Sequence, residues 1–178
     1  MKPGSLPAVL VFAGADPSGG AGSAADIVAI AAQGAHALPV ITALTVQDND
    51  RVFGVEAVAP ELLRRQALAL IDKMAIHAVK IGIPGIAANA AVIAQLIGQL
   101  RKAHPGLPVV LDPVLASGHG DVLSRDDAVL ALAPLLPLTT VIVPNGPEAL
   151  ALGGVENLRA QGCRHVLVTG GHGDGEAV

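Results

Sequence analysis

The sequence predicts an α/β fold of three layers (α/β/α), with a mostly parallel central sheet between two layers of helices. Short apolar stretches rich in Val, Ile and Leu alternate along the chain with longer, Ala-rich stretches. Such alternation with short connections is typical of parallel strands joined by helices. Hydrophobic residues make up 52% of the 178 residues, yet the chain has two Phe and no Trp or Tyr. The core must therefore consist of aliphatic side chains, as in buried parallel sheets.

Each element has a local signature in the sequence. Strands are predicted where short β-branched, apolar runs end at polar or glycine-rich residues. Helices are predicted where longer, often Ala-rich runs lack an internal Pro, or where a Pro or Ser suits a helix start. Strands are expected at residues 8–13, 38–44, 52–58, 78–83, 108–111, 140–143 and 164–168, the third as a flap at the sheet edge. Helices are expected at residues 24–32, 60–73, 87–103 and 157–161, and others begin at Ser124 and Pro147.

Composition excludes several classes of protein. The formal net charge is −4 and no basic cluster occurs, so neither nucleic acid nor another polyanion is an expected partner. The uncharged stretches 27–47 and 81–100 are interrupted by Pro39 and Pro84, so we expect no transmembrane segment. The single Cys163 excludes an internal disulfide framework, and we expect it to be a small buried or semi-buried residue at the start of a strand. With no signal peptide recognised, we expect a cytoplasmic protein.

The glycine-rich stretch 14–22 lies between the first predicted strand and the first predicted helix. Four glycines among nine residues allow backbone N–H groups to approach a ligand, and a helix N-terminus favours a polar or anionic group. The stretch is not a Walker A loop, because no lysine occurs between Lys2 and Lys73, and it lacks the G-x-G-x-x-G spacing. A binding loop is therefore predicted, with a plain strand-to-helix connection as the alternative.

Polar residues also follow the other predicted parallel strands. In an open α/β sheet, ligands bind beyond the carboxyl ends of the strands, so these residues predict a site along one edge. Alternatives remain open for several of them: Asn145 and Glu148 suit a helix N-terminus, and Lys80 suits either a structural ion pair or a phosphate contact. The converging residues are Gln47, Asp48, Asp112, Asn145, Glu148 and Gly170–His172.

An ordered set of motifs resembles the hydroxymethylpyrimidine/phosphomethylpyrimidine kinases of thiamine biosynthesis, within the ribokinase-like superfamily. These motifs occur in the family's order across nearly the whole chain, which makes the resemblance specific. They are residues 13–22 with Asp26, 40–47, 80–82, 111–114, 144–148 and 169–172.

The resemblance implies a reaction, a substrate and two cofactors. The reaction is phosphorylation by ATP, with Mg²⁺, of hydroxymethylpyrimidine and then of its monophosphate. A pyridoxal or pyridoxine kinase, or a catalytically inactive pyrimidine-binding module, is the alternative. The resemblance also implies a homodimer.

The resemblance assigns these roles to individual positions. Gln47 matches the position that hydrogen-bonds the pyrimidine, and an amide offers both the donor and the acceptor that an aminopyrimidine edge needs. The other implied substrate-binding positions are Gly14, Asp16, Ala21, Asp26, Ile83 and Val114. Asp112 and Glu148 match positions that organise Mg²⁺, and the nucleotide side comprises Asn145, Thr169, Gly170 and Gly171.

Two departures from the family pattern affect these expectations. The family has a later glycine-rich segment that forms an anion hole and supplies the catalytic base, and no such segment occurs before Val178. The family also has additional residues between Gly154 and Val155. We therefore expect residues 1–178 to form a single ribokinase-like domain that lacks the C-terminal part of the fold, assign no catalytic residue within it, and expect weak binding and slow or no turnover from this chain alone.

Overall fold

The computed structural model describes residues 6–115 and 128–170. Its strands are β1 (Ala8–Ala15), β2 (His36–Gln47), β3 (Val52–Ala57), β4 (Ala78–Ile81), β5 (Val109–Leu111), β6 (Val141–Ile142) and β7 (His165–Val166). Its helices are α1 (Gly22–Ala32), α2 (Pro60–Ile71), α3 (Ala87–Ala103), α4 (Ala128–Leu132), α5 (Gly146–Ala151) and α6 (Gly154–Ala160), with a 3-10 turn at Leu136–Leu138.

Within the described residues, the strands form one sheet in the order β3-β2-β1-β4-β5-β6-β7. All neighbouring pairs are parallel except β2 and β3, which form an antiparallel hairpin at one edge. The predicted mostly parallel sheet with an edge flap is confirmed. The chain order changes direction at β1, since β2 lies on one side of it and β4 on the other. Such a switch point opens a crevice at the carboxyl ends of the strands.

Helices lie on both faces of the sheet, as predicted. The β1-α1-β2 connection and the later connections run in opposite directions across the sheet, so right-handed crossovers place α1 on one face and α2 and α3 on the other. The packing agrees: α1 contacts β1 and β2, whereas α2 and α3 contact each other.

The main core lies between the sheet and the layer that contains α2 and α3. Phe12 and Ile81 point to this side and have no exposed surface, as does Ile93 of α3. Leucine, isoleucine and valine provide most of the remaining buried surface, as the aromatic-poor composition requires. No helix in residues 6–115 or 128–170 is both long enough and apolar enough to span a membrane.

Two regions differ from the sequence-based boundaries. The expected strand 38–44 is longer in the structure, since β2 continues to Gln47. Its last residues pair with β3, Val46 with Gly54 and Gln47 with Val52. At the other edge, the expected strands 140–143 and 164–168 shorten to two residues each. The helix expected at Ser124 begins outside the described residues, which resume at Ala128 of α4.

Candidate active site

The glycine-rich loop between β1 and α1 is held in shape by Asp16. Its carboxylate accepts hydrogen bonds from the Ser18 backbone N–H at 2.7 Å, the Ser18 hydroxyl at 2.9 Å and the Ala21 N–H at 2.8 Å. Burial raises the pKa of Asp16, but the hydrogen bonds from Ser18, Ala21 and the Gln47 side chain outweigh it, so the pKa lies below its ordinary value. Asp16 is therefore an ionised acceptor that fixes the loop as well as a residue at the site.

Two glycines let this loop pack against its neighbours. Gly22 begins α1 with φ of 57°, and a Cβ there would lie 2.3 Å from the Gly14 carbonyl oxygen. A Cβ at Gly14 would lie 2.8 Å from the Ile83 Cδ1 atom. The loop, the end of β1 and the residues after β4 therefore approach each other more closely than larger residues would permit.

A cavity of about 130 Å³ opens where the loop meets the ends of β1, β2, β4 and β5. An apolar cavity of about 150 Å³ can hold a benzene ring, so this one is near the size of a single six-membered ring. Most of its lining is apolar. Six of the seven implied substrate-binding residues line it: Gly14, Asp16, Ala21, Gln47, Ile83 and Val114.

The seventh, Asp26, lies beside the cavity and forms an ion pair with Lys80. The Asp26 carboxylate oxygens lie 2.9 and 3.0 Å from the Lys80 Nζ atom, which itself lines the cavity. Asp26 does not line the cavity itself. Its direct partner in this structure is the Lys80 ammonium. The sequence allowed two roles for Lys80, a structural ion pair or a phosphate contact. The structure shows the ion pair with Asp26.

Asp112 lies at the end of the same cavity, 3.9 Å from the Lys80 Nζ atom. Desolvation raises the pKa of Asp112, and the positive charge of Lys80 lowers it. The negative charges of Glu148 and Asp26 raise it further, so the pKa of Asp112 lies above its ordinary value. Asp112 and Glu148 are therefore close enough to repel each other electrostatically, an arrangement that a bound cation would relieve.

Asn145 and Glu148 form a capping box at the start of α5. The Asn145 Oδ1 atom accepts from the Glu148 N–H, and the Glu148 Oε2 atom accepts from the Asn145 N–H, each at 2.8 Å. This confirms that both residues suit the helix N-terminus. It also fixes the buried Glu148 carboxylate at the end of β6.

The implied nucleotide side lies further along the sheet, past β6. Thr169 pairs with Asn145 through an isolated parallel bridge and lines an open cleft, together with Gly170 and residues of α5 and α6. Gly171 lies outside the described residues. Among the residues that are described, no group of three or more His, Cys, Asp or Glu side chains forms a ready metal site.

The structure thus brings together at one edge of the sheet residues that are far apart in the sequence. Sequence reasoning did not place Thr45, Lys80 or Gly82 in the cavity lining. Lys80 carried a usable signal, because a charged residue within an apolar strand requires a partner. Thr45 and Gly82 carried none, since their contribution depends on strand register. Cys163 is buried as predicted, and its burial raises the pKa of the thiol.

Comparison with known proteins agrees with this arrangement. The phosphomethylpyrimidine kinase family model matches residues 16–178. A hydroxymethylpyrimidine/phosphomethylpyrimidine kinase of Streptomyces coelicolor is 36% identical, over 99% of this chain and 68% of its own length. A thiamine biosynthesis multifunctional protein of Corynebacterium efficiens is 41% identical, over 83% of this chain and 20% of its own length.

Solved structures show the same fold. The phosphomethylpyrimidine kinase of Clostridium difficile superposes with a TM-score of 0.82 at 34% identity, covering 96% of this chain and 78% of that one. An ADP complex of Bacillus subtilis pyridoxal kinase gives a TM-score of 0.80 at 28% identity, covering 94% and 67%. The fold is ribokinase-like, and the chain belongs to the phosphomethylpyrimidine kinase family.

Proposed function

We propose that this protein transfers the γ-phosphoryl group of ATP to the primary hydroxyl of hydroxymethylpyrimidine, and then a second phosphoryl group to the resulting monophosphate. The chain spans 68% and 20% of the lengths of the two relatives described above. The observation that carries the proposal is a ring-sized cavity with the Gln47 amide among its lining residues and Asp112 and Lys80 also lining it.

The contacts of Gln47 support recognition of an aminopyrimidine. The Gln47 side chain helps to lower the pKa of Asp16, and an ionised carboxylate only accepts hydrogen bonds, so the Gln47 NH₂ group is the part of the amide that would face Asp16. The Gln47 Oε1 atom is then available to accept from an exocyclic amino group. The ring would lie between the backbone of Gly14 and the aliphatic side chains of Ile83 and Val114.

The donor set at the ends of β5 and β6 suits Mg²⁺. This ion is usually held by one or two carboxylates together with waters and substrate phosphates. Asp112 and Glu148 supply two carboxylates that repel each other when both are charged. Mg²⁺ would neutralise phosphate charge during transfer. Thr169 and Gly170 line the cleft in which the nucleotide would lie.

The proposed contribution of this chain to the reaction is binding and orientation. Gln47 and the apolar walls fix the ring, so that the hydroxymethyl arm can point towards Asp112 and Lys80. Holding the hydroxyl and the phosphoryl group in line is a large part of the rate enhancement in such transfers.

Measurement of ADP release by the full-length gene product tests the proposal. Hydroxymethylpyrimidine should stimulate ADP release more than pyridoxal, and Gln47→Ala should lower kcat/KM about 10- to 100-fold through loss of a hydrogen bond in the site. The matched control is Gln161→Ala, because Gln161 is exposed at the end of α6. A preference for pyridoxal, which the likeness to pyridoxal kinase keeps as the alternative, would contradict the proposal. Pyrimidine binding without turnover would instead indicate an inactive binding module.

We also propose a cytoplasmic homodimer. The β2-β3 hairpin exposes Leu44 by 57% and Val46 by 61% on the same face of β2, and such adjacent apolar residues suit a contact between copies. Sedimentation velocity should show a dimer that Val46→Lys converts to a monomer. Leu150→Lys in α5, towards the opposite edge of the sheet, should leave the dimer intact. A monomeric unaltered protein would contradict it.

A further inference from the structure

We propose that Lys80 binds the phosphate of the phosphorylated substrate and thereby makes the site prefer the pyrimidine monophosphate over the free alcohol. This inference rests on the proposed function and adds a residue that determines which of the two substrates binds better. Among the described residues that line the cavity, Lys80 alone is basic.

The Lys80 ammonium is held in place before any ligand binds. Both carboxylate oxygens of Asp26 in α1 contact it, at 2.9 and 3.0 Å. The Asp26 side chain is 17% exposed and the Lys80 side chain is 21% exposed. A lysine held by a half-buried carboxylate loses less conformational entropy on binding an anion than one that is free in solvent.

The ammonium retains hydrogen-bonding capacity towards the cavity. It has three N–H donors, its contacts within the described residues are with Asp26 and Asp112, and the 3.9 Å separation from Asp112 is too long for a hydrogen bond. Gly82 leaves space beside it, because a Cβ at that position would lie 3.2 Å from the Nζ atom. An oxygen of a ligand can therefore reach the ammonium.

Gln47 and Lys80 face the same cavity from different levels of the sheet. Lys80 is level with Val11 of β1 and, through it, with Pro39 of β2, so Gln47 lies further along β2 towards its end. Both residues nevertheless line the cavity, which is near the size of a single six-membered ring. A pyrimidine ring held by Gln47 would therefore direct its phosphorylated arm, rather than the ring itself, towards Lys80.

Charge explains the preference between the two substrates. Asp16, Asp26 and Asp112 make the surroundings of the cavity acidic, and they would repel a phosphate if Lys80 were neutral. The free alcohol carries no charge, so its binding affinity depends less on the Lys80 ammonium and falls less when the ammonium is removed. A hydrogen bond between charged groups exceeds a neutral one by an amount that corresponds to about tenfold in affinity or more.

Isothermal titration calorimetry with hydroxymethylpyrimidine and its monophosphate tests this assignment. In Lys80→Met, the affinity ratio of monophosphate to alcohol should fall at least tenfold. The double variant Lys80→Met/Asp26→Asn removes the unpaired Asp26 carboxylate and should show the same fall, which separates the effect from misfolding. Lys80→Arg should keep most of the preference, and Lys73→Met, at an exposed lysine after α2, should leave the ratio unchanged.

The outcomes separate this inference from the proposed function. In one outcome, the affinity ratio of monophosphate to alcohol stays unchanged in the Lys80→Met and double variants, either because both affinities stay the same or because both fall equally. In that case Lys80 has only a structural role and the assignment is wrong. The proposal of pyrimidine binding would still stand. If neither ligand binds the unaltered protein, the assignment and the proposed function fail together.

Discussion

The pyrimidine side and the nucleotide side of this site are built very differently. The pyrimidine side rests on β1 with 8 residues and β2 with 12, and each has a neighbouring strand on both sides. The nucleotide side rests on β6 and β7 with two residues each, next to exposed apolar side chains such as Leu150 at 79% and Leu167 at 58%. The difference indicates that the pyrimidine cavity is formed independently of the nucleotide cleft.

Hydrogen bonds on the pyrimidine side support this conclusion. The Thr45 hydroxyl donates to the Ala15 carbonyl at 2.9 Å, and the Thr42 hydroxyl donates to the Ile83 carbonyl at 2.6 Å. These bonds join β2 to the last residue of β1 and to a residue just after β4, both of which lie at the cavity. We therefore expect the pyrimidine to bind without ATP.

The largest expected effect contrasts a core residue of the pyrimidine side with an apolar residue of the nucleotide side. Phe12→Ala should lower the free energy of unfolding by about 3–5 kcal/mol, because Phe12 is fully buried in β1. Leu150→Ala should change it by less than about 0.5 kcal/mol, because its side chain is mostly in solvent. Urea denaturation measures both. Similar losses for the two variants would mean that the sides do not differ in packing.

A smaller effect is expected for the loop at the pyrimidine cavity. Gly22→Ala should destabilise the protein by at least about 1–3 kcal/mol, because alanine is strained at positive φ and its Cβ would meet the Gly14 carbonyl. Gly98→Ala in α3 is the matched control. No atom lies within 4 Å of a Cβ there, so this change should be neutral or stabilise by up to about 1 kcal/mol. Equal thermal stability of the two variants would contradict the loop geometry.

The smallest expected effect concerns the pH dependence of the same loop. The pKa of Asp16 is lowered from 3.8 in the folded protein, so its ionised form adds stability above pH 3.8 that is lost as the pH falls through the lowered pKa. Asp16→Asn should be less stable than the unaltered protein at neutral pH, and the difference should shrink below pH 3.8. Urea denaturation from pH 2.5 to pH 7 measures it, and a difference that is constant with pH would show that the carboxylate charge is not responsible.

The sequence was most informative where local pattern and packing agree. The third helix was predicted at residues 87–103, where it occurs, because its Ala, Ile and Leu residues follow a helical period. The strands β6 and β7 were predicted too long. Their apolar residues suit a strand, but strand length also depends on pairing partners, which a single sequence does not reveal.

For the candidate site, most of the residues that the motifs pointed to line one cavity, but the motifs did not reveal the contacts between them. The resemblance implies only a substrate contact for Asp16, and the structure adds the hydrogen bonds by which Asp16 fixes the loop beside the cavity. The pair of Asp26 with Lys80 joins residues 54 positions apart, so it follows from the packing of α1 against the sheet rather than from spacing.

The most direct test of the preformed pyrimidine cavity is a titration with hydroxymethylpyrimidine in the absence of nucleotide, followed by ¹H–¹⁵N NMR. We expect chemical-shift changes at the amides of Gly14, Ala21, Gln47 and Gly82, and little change at Thr169 and Gly170. The response should be lost in Gln47→Ala. Changes confined to Thr169 and Gly170, or binding that requires ATP, would contradict it.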